Sequence, residues 1–253
     1  MKINILLLLA IIMIFSNSNA QNDSMYVMKS GKIVGYYKVS EVDSIIFYKP
    51  IMLNEPITDI EGNVYNTVTI GAQVWMKENL KTSKYNNGDN ILTTPTGNTD
   101  ISGEINTKYQ WVYFSNSYYL ENYGRLYTWY AATDNRNICP SGWHLPTDAE
   151  WTTLSKFLGG DSVAANKLKE TGTDHWKLTN TDVTNETEFS AGPGGNRSTT
   201  GEHQNAGDYG FWWTSSESSS VDAWCRYMYS DSKIVGRGEN YKMNAFSVRC
   251  VKD

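Results

Sequence analysis

The 253-residue chain carries 27 Asp and Glu against 22 Lys and Arg, a formal charge of −5, and its cations form no stripe. Nucleic acid and anionic membrane surfaces are bound through clustered Lys and Arg, so the charge pattern argues against both partner classes. Nine Trp and 17 Tyr against 7 Phe mean that most rings carry a polar handle, suited to half-buried positions and to binding sites.

Residues 1–20 read as a signal peptide: Lys2, an apolar run over 5–15, then a polar stretch ending in Asn19 and Ala20. A run of about eleven apolar residues is shorter than the roughly 20 that a spanning helix needs, and no later stretch is apolar enough to cross a bilayer. No cysteine stands near Ala20, which argues against a lipid-anchored precursor. The expected destination is therefore export, whether secreted, periplasmic or cell-surface associated. Residues 21–49 read as a small β unit with strands over 25–28, 33–39 and 44–48, too small to hold a core alone. Pro50 and Pro56 mark 50–58 as a linker, so the main module is expected over 59–253.

That module opens as strand, turn, strand over 59–76, where β-branched residues are punctuated by Gly62-Asn63 and Gly71-Ala72. The Asn-, Thr-, Ser- and Tyr-rich stretch 86–122 predicts loop with a short strand over 109–114, and 123–132 a short helix. Thr147 with Glu150 three residues on spells a capping box for a helix over 148–158, with Trp151, Leu154 and Phe157 or Leu158 on its buried face and Gly159-Gly160 as its stop. A second short helix is expected after Asp161 or Ser162, burying Val163 and Leu168. Residues 180–210 read as a long surface loop, tightened at Gly192-Pro193-Gly194-Gly195. Strands over 211–215, 223–229 and 244–251 close the chain; in the last, Phe246, Val248 and Cys250 alternate with Ser247 and Arg249.

Three cysteines in an exported chain predict one disulfide and one remaining thiol. Cys139, just before the capped helix, and Cys250, on the apolar face of the last strand, are the expected pair, leaving Cys225. No nucleophile elbow, zinc-helix motif, paired Cys-x-x-Cys or phosphate-binding glycine loop occurs. His144, His175 and His203 are isolated in sequence, and His144 is expected to orient its loop by hydrogen bonding rather than to titrate in catalysis. No cofactor is expected; Asp and Asn oxygens recur over 180–208 and would suit calcium, but their spacing matches no standard loop. Tyr209, Trp212, Trp213, Trp224, Arg226 and Tyr227 on neighbouring strands are the candidate ligand-binding residues, with Arg237 and Asp222 nearby; a place in the core is the alternative for each ring.

Trp75-Met76-Lys77-Glu78-Asn79-Leu80, Tyr123-Gly124-Arg125-Leu126-Tyr127, the segment from Cys139 to Trp151, Phe211-Trp212-Trp213-Thr214-Ser215-Ser216-Glu217 and Ser247-Val248-Arg249-Cys250-Val251 follow one another in an order that resembles the Fibrobacter succinogenes major paralogous domain family over residues 59–253. Exported proteins of Bacteroidetes-type and Fibrobacter bacteria carry this domain. At one remove, Leu145-Pro146-Thr147-Asp148-Ala149-Glu150-Trp151 and Ser247-Val248-Arg249 are similar to pieces of formylglycine-generating, or sulfatase-modifying, enzymes. The resemblance implies an α+β, C-type-lectin-like fold with short twisted antiparallel sheets, two main helices and long irregular loops. Those enzymes bind copper through two nearby cysteines, and only Cys225 lies in a comparable place; a Cys139–Cys250 bridge would leave it without a second sulfur. The sugar-binding triplets of calcium-dependent lectins, Glu-Pro-Asn or Gln-Pro-Asp, do not occur. The function expected is that of an exported, non-enzymatic envelope or secreted module with a glycan or a cell-surface protein as its partner; the alternative is an oxidase-like enzyme related to the formylglycine generators.

Overall fold

The computed structural model describes residues 24–29, 32–38, 40, 54–178 and 182–253. The expected signal peptide and the strand expected over 44–48 lie outside the described residues. The chain divides into two compact units, Met1–Met52 and Leu53–Asp253. In the first, β1 (Ser24–Lys29) pairs antiparallel with β2 (Lys32–Lys38), the register shifting between Val27 and Met28.

The second unit runs β3 (Ile57–Thr58), β4 (Val64–Tyr65), β5 (Thr67–Ile70), β6 (Gln73–Met76), β7 (Gln110–Trp111), α1 (Ser117–Tyr123), β8 (Leu126–Thr128), α2 (Trp129–Ala132), β9 (Trp143–His144), α3 (Asp148–Phe157), α4 (Asp161–Leu168), β10 (Asn196–Arg197), β11 (His203–Gln204), β12 (Tyr209–Glu217), β13 (Asp222–Tyr229), β14 (Gly236–Tyr241), β15 (Ala245–Phe246) and β16 (Val251–Lys252). Its strands pair antiparallel in the orders β5-β6-β16-β9, β12-β13-β14 and β11-β10-β15-β8-β7, with β3-β4 as a separate ribbon. The fold is α+β. Residues 54–58, part of the linker expected over 50–58, are tied into this unit: the Thr67 hydroxyl donates to the Glu55 carbonyl at 3.0 Å, that of Thr69 to Asn54 at 2.8 Å, and β3 pairs with β4.

Helix α3 forms as its capping box predicts. The Thr147 hydroxyl accepts from the Glu150 amide at 3.1 Å while Glu150 Oε2 accepts from the Thr147 amide at 2.7 Å. Its buried face is Trp151, Leu154 and Leu158, and Gly159 and Gly160 follow at φ 104° and 102°, a turn that an L side chain resists. Helix α4 buries Leu168 through Ala164 and Ala165, with Val163 only half-buried.

Several elements depart from expectation for physical reasons. Helix α1, started by the Asn116 side chain accepting from the Tyr118 amide, arises inside the stretch that lacks apolar periodicity. Residues 126–128 are strand rather than helix because β8 lies between β7 and β15. β14 carries no alternating apolar residues and exists through its ladder to β13. The last strand breaks into β15 and β16. Between them the backbone serves two other segments: Ser247 O accepts from Trp213 N at 3.1 Å, while Val248 O accepts from Leu80 N at 2.8 Å and Cys250 O from Met76 N at 3.1 Å. Ser247 and Arg249 are consequently as buried as Val248 and Cys250, and no solvent face survives. Gly192 to Arg197, expected at the surface, is buried, with β10 held between β11 and β15.

Eight of the nine Trp are buried, Trp224 being the exception, so the aromatic surplus is mainly core. Trp75, Trp151, Phe189 and Trp212 interlock under α3 with centroids 5.0–6.0 Å apart. Cys139 and Cys250 are bridged and fully buried beside Trp143, Trp213 and Phe246.

A charged clamp ties α3 to Asp253. His144 places Nδ1 2.6 Å from Asp253 Oδ1 and Nε2 2.9 Å from Glu150 Oε1. Burial lowers the imidazole pKa, but the two carboxylates outweigh it and leave the pKa above its usual 6.5. A raised pKa stabilises fully below the unfolded value and loses that contribution as pH climbs through the folded one. Glu150, which burial raises and the Thr147 contacts and His144 lower further, ends below its usual 4.5, so its share is lost as the pH falls through the folded value. The melting temperature of the wild type minus that of His144→Gln is therefore expected to be positive near about pH 6 and to fade by about pH 9. A difference that stays constant across that range would dismiss the clamp.

Candidate functional site

The six candidate binding residues do not share a surface. β12 and β13 pair with Tyr209 opposite Tyr229, Phe211 opposite Tyr227, Trp212 opposite Arg226 and Trp213 opposite Cys225. Alternation sends Tyr209, Trp213 and Tyr227 to one face and Trp212, Trp224 and Arg226 to the other. Trp212 and Trp213 are fully buried, their indole N–H groups donating to Asn79 Oδ1 at 2.9 Å and to the Tyr127 carbonyl at 2.8 Å. Arg226 is buried too, donating to Asp148 Oδ1 and the Thr152 hydroxyl, each at 2.7 Å, which fastens the sheet to α3.

The three half-buried rings are engaged by their neighbours. Tyr209 stacks on Phe211, centroids 5.5 Å apart and planes 9° apart, and on Tyr229 at 5.4 Å and 27°. Tyr227 lies over Gly236, where a Cβ would come 2.2 Å from the ring. The Arg237 guanidinium sits 3.3 Å from the Trp224 centroid and is itself bound to Asp148 at 2.9 Å. Each of the three rings is therefore already packed against a neighbour, and together they form no shared surface.

Cys225 is buried opposite Trp213, and burial pushes its thiol up to about 12. With Cys139 and Cys250 bridged, no second thiol stands beside it. Among the described residues no three His, Cys, Asp or Glu side chains gather as a metal site. Asn oxygens of the 180–208 region are engaged in turns: Asn185 Oδ1 accepts from the Ser190 amide at 3.0 Å and Asn196 Oδ1 from Asn205 at 2.7 Å.

A groove of about 720 Å³ opens elsewhere, among the loops at 97–98, 114–115 and 200–204. Volumes of this size suit small ligands. Its side chains are Asn98, Ser115, Thr200, Glu202, His203, Gln204 and one apolar ring, Phe114, which is 62% exposed. Phe114 and Ser115 both hold left-handed backbone, φ 50° and 52°, in a 3₁₀ turn over Tyr113–Ser115. Two adjacent non-glycine residues there are strained, and strain of this kind collects at functional sites. The ring is braced, its centroid 4.8 Å from Tyr113 and 5.1 Å from His203.

The walls are fixed from below. Arg197 is fully buried with its guanidinium 3.9 Å over the Trp111 ring and donates to the carbonyls of Gly97 at 2.8 Å and Thr99 at 2.5 Å. Gly201 packs so closely that a Cβ would lie 2.2 Å from the Asn98 carbonyl, at φ 91°. Burial and then Arg197 push the His203 imidazole down to about 4, so it is neutral at physiological pH; its Nε2 is buried without a hydrogen-bond partner. A preformed groove lined by amides, hydroxyls, one carboxylate and one exposed ring is equipped for polar, non-covalent recognition.

The model of the Fibrobacter succinogenes major domain matches residues 68–252. The chain belongs to this family. No curated protein and no solved structure matches it. Within this Fibrobacter succinogenes major domain, four of the five motifs that carry the resemblance meet at one buried point, the segment from Cys139 to Trp151 lying outside it. Asn79 Oδ1 accepts from Arg249 Nε at 3.0 Å, Arg249 Nη2 at 2.8 Å and Trp212 Nε1, while Asn79 Nδ2 donates to the Tyr123 carbonyl at 2.9 Å. Gly124 follows, where a Cβ would lie 2.5 Å from the Leu80 carbonyl. The family motifs therefore build scaffold, and the groove lies outside them. Sequence reasoning missed it because Phe114 reads as the end of a strand and the polar residues around it carry no pattern; a lone Phe in an Asn- and Ser-rich stretch was the one available signal.

Proposed function

We propose that this domain is an exported, non-enzymatic module of the cell envelope or the secreted fraction that binds glycan in the loop groove, with Phe114 as the ring on which a sugar stacks. One observation carries the reading: a large apolar ring stands exposed on strained backbone, braced by Tyr113 and His203, amid amide and hydroxyl groups. Apolar ring plus hydrogen-bonding rim is the chemistry a pyranose offers in return, one C–H face and a belt of hydroxyls. Export is supported by the buried disulfide, which belongs to an oxidising compartment, and by the pattern of residues 1–20. Among the described residues no helix is long and apolar enough to cross a membrane. The non-enzymatic reading is supported by Cys225, buried and without a neighbouring thiol. Short antiparallel sheets, two main helices and long loops fit the C-type-lectin-like arrangement.

A glycan array followed by calorimetry tests this. Phe114→Ala is expected to weaken binding more than tenfold, since removing a ring that becomes buried on binding forfeits about 1.5–3 kcal/mol, while stability stays unchanged because the ring is exposed. Full affinity in that variant would refute the groove, and binding to a cell-surface protein with no glycan signal would replace the ligand class.

A further inference from the structure

We infer that the glycan site does not end at the groove but continues along α1 as a ridge of aromatic rings, so that the ligand is an extended neutral oligosaccharide chain. This rests on the groove reading and adds the ligand's length and charge. From Phe114 the rings step to Tyr119 at 6.4 Å, from Tyr119 to Tyr118 at 5.5 Å, and from Tyr118 to His175 at 6.4 Å. All three contacts are edge-on, with planes 63–87° apart, unlike the mutually stacked Tyr209 and Phe211. Tyr118 is 49% exposed, so the ridge has an open ring beyond the groove as well as Phe114 within it.

The backbone that carries the ridge is held in place, which lowers the ordering cost of binding. The Tyr118 amide donates to Asn116 Oδ1 at 2.8 Å, and its carbonyl accepts from Asn122 Nδ2 at 2.8 Å. Beneath it Tyr123 is buried, its ring within 3.4 Å of the position a Cβ would take at Gly192 and its Cβ within 3.2 Å of that at Gly194. Larger residues at either glycine would press on this ring.

Charge decides the ligand class. The cations near the ridge are engaged: Arg197 on carbonyls, Lys177 on Asp208 at 2.5 Å. Glu170 is held by His175 at 2.8 Å, and Glu202 lies in the groove. Among the described residues, the two cations named beside the ridge, Arg197 and Lys177, already have acceptors, so the phenol, hydroxyl and amide groups around the rings favour a neutral polyol chain over a sulfate or carboxylate.

The test is calorimetry with cello-, xylo- and laminari-oligosaccharides, from disaccharide to hexasaccharide, on the whole chain. Wild type should tighten at least tenfold with length. Tyr118→Ala should abolish that gain and leave disaccharide affinity untouched, Tyr118→Phe should retain it, and Phe114→Ala should weaken every length. A Tyr118→Ala variant matching wild type at all lengths, with Phe114→Ala still weak, overturns the ridge and spares the groove. If Phe114→Ala also binds normally, or wild type binds none of the series, both readings fall.

Discussion

Asn79→Ala is expected to destabilise the second unit by about 3–5 kcal/mol. Asn79 is 5% exposed and its one amide satisfies four partners: two donors of Arg249, the indole of Trp212 and the carbonyl of Tyr123. Removing it leaves the Arg249 guanidinium, 2% exposed, with only the Phe189 and Ser190 carbonyls. The penalty expected is that of uncompensated buried donors rather than of an average hydrogen bond. Asn79→Asp keeps the acceptors but sets a carboxylate against the Tyr123 carbonyl, and a smaller loss is expected. Urea unfolding at constant slope reads both; an Asn79→Ala midpoint within about 1 kcal/mol of wild type would disprove the node.

Loss of the disulfide is expected to cost about 4–5 kcal/mol. The bridge closes a loop with a sequence separation of 111, and constraint of the unfolded chain grows with loop length. Both cysteines are fully buried, so in Cys139→Ser/Cys250→Ser the bridged sulfurs give way to two hydroxyls in an apolar cluster, adding to the loss. Cys225→Ala, which removes a single buried sulfur, is the control and should cost about 1 kcal/mol. Peptide mapping without reductant should recover Cys139 joined to Cys250. If the double variant unfolds at the wild-type midpoint, the bridge carries no stability.

Legibility followed the range of the interactions. The cap of α3 is written in Thr147 and Glu150, three residues apart, and its stop in two adjacent glycines, so local chemistry suffices. β14 was invisible because Gly236 and Gly238 are there to receive the Tyr227 ring, a partner on another strand. The break after Phe246 was invisible for the same reason: 247–250 exchanges its backbone bonds with residues near 76, 80 and 212. At the site, residue type pointed to Trp212, Trp213 and Arg226, yet indoles and guanidinium alike are consumed by the core.

By itself, then, the sequence determined the α+β class, the family, the capped helix and the cysteine pair, because each is encoded by neighbours in the chain or by motifs in fixed order. Only the tertiary structure decided which aromatic rings face solvent. Burial depends on what packs above a residue, and Phe114 meets its neighbour His203 from 89 positions away, a separation that no periodicity records.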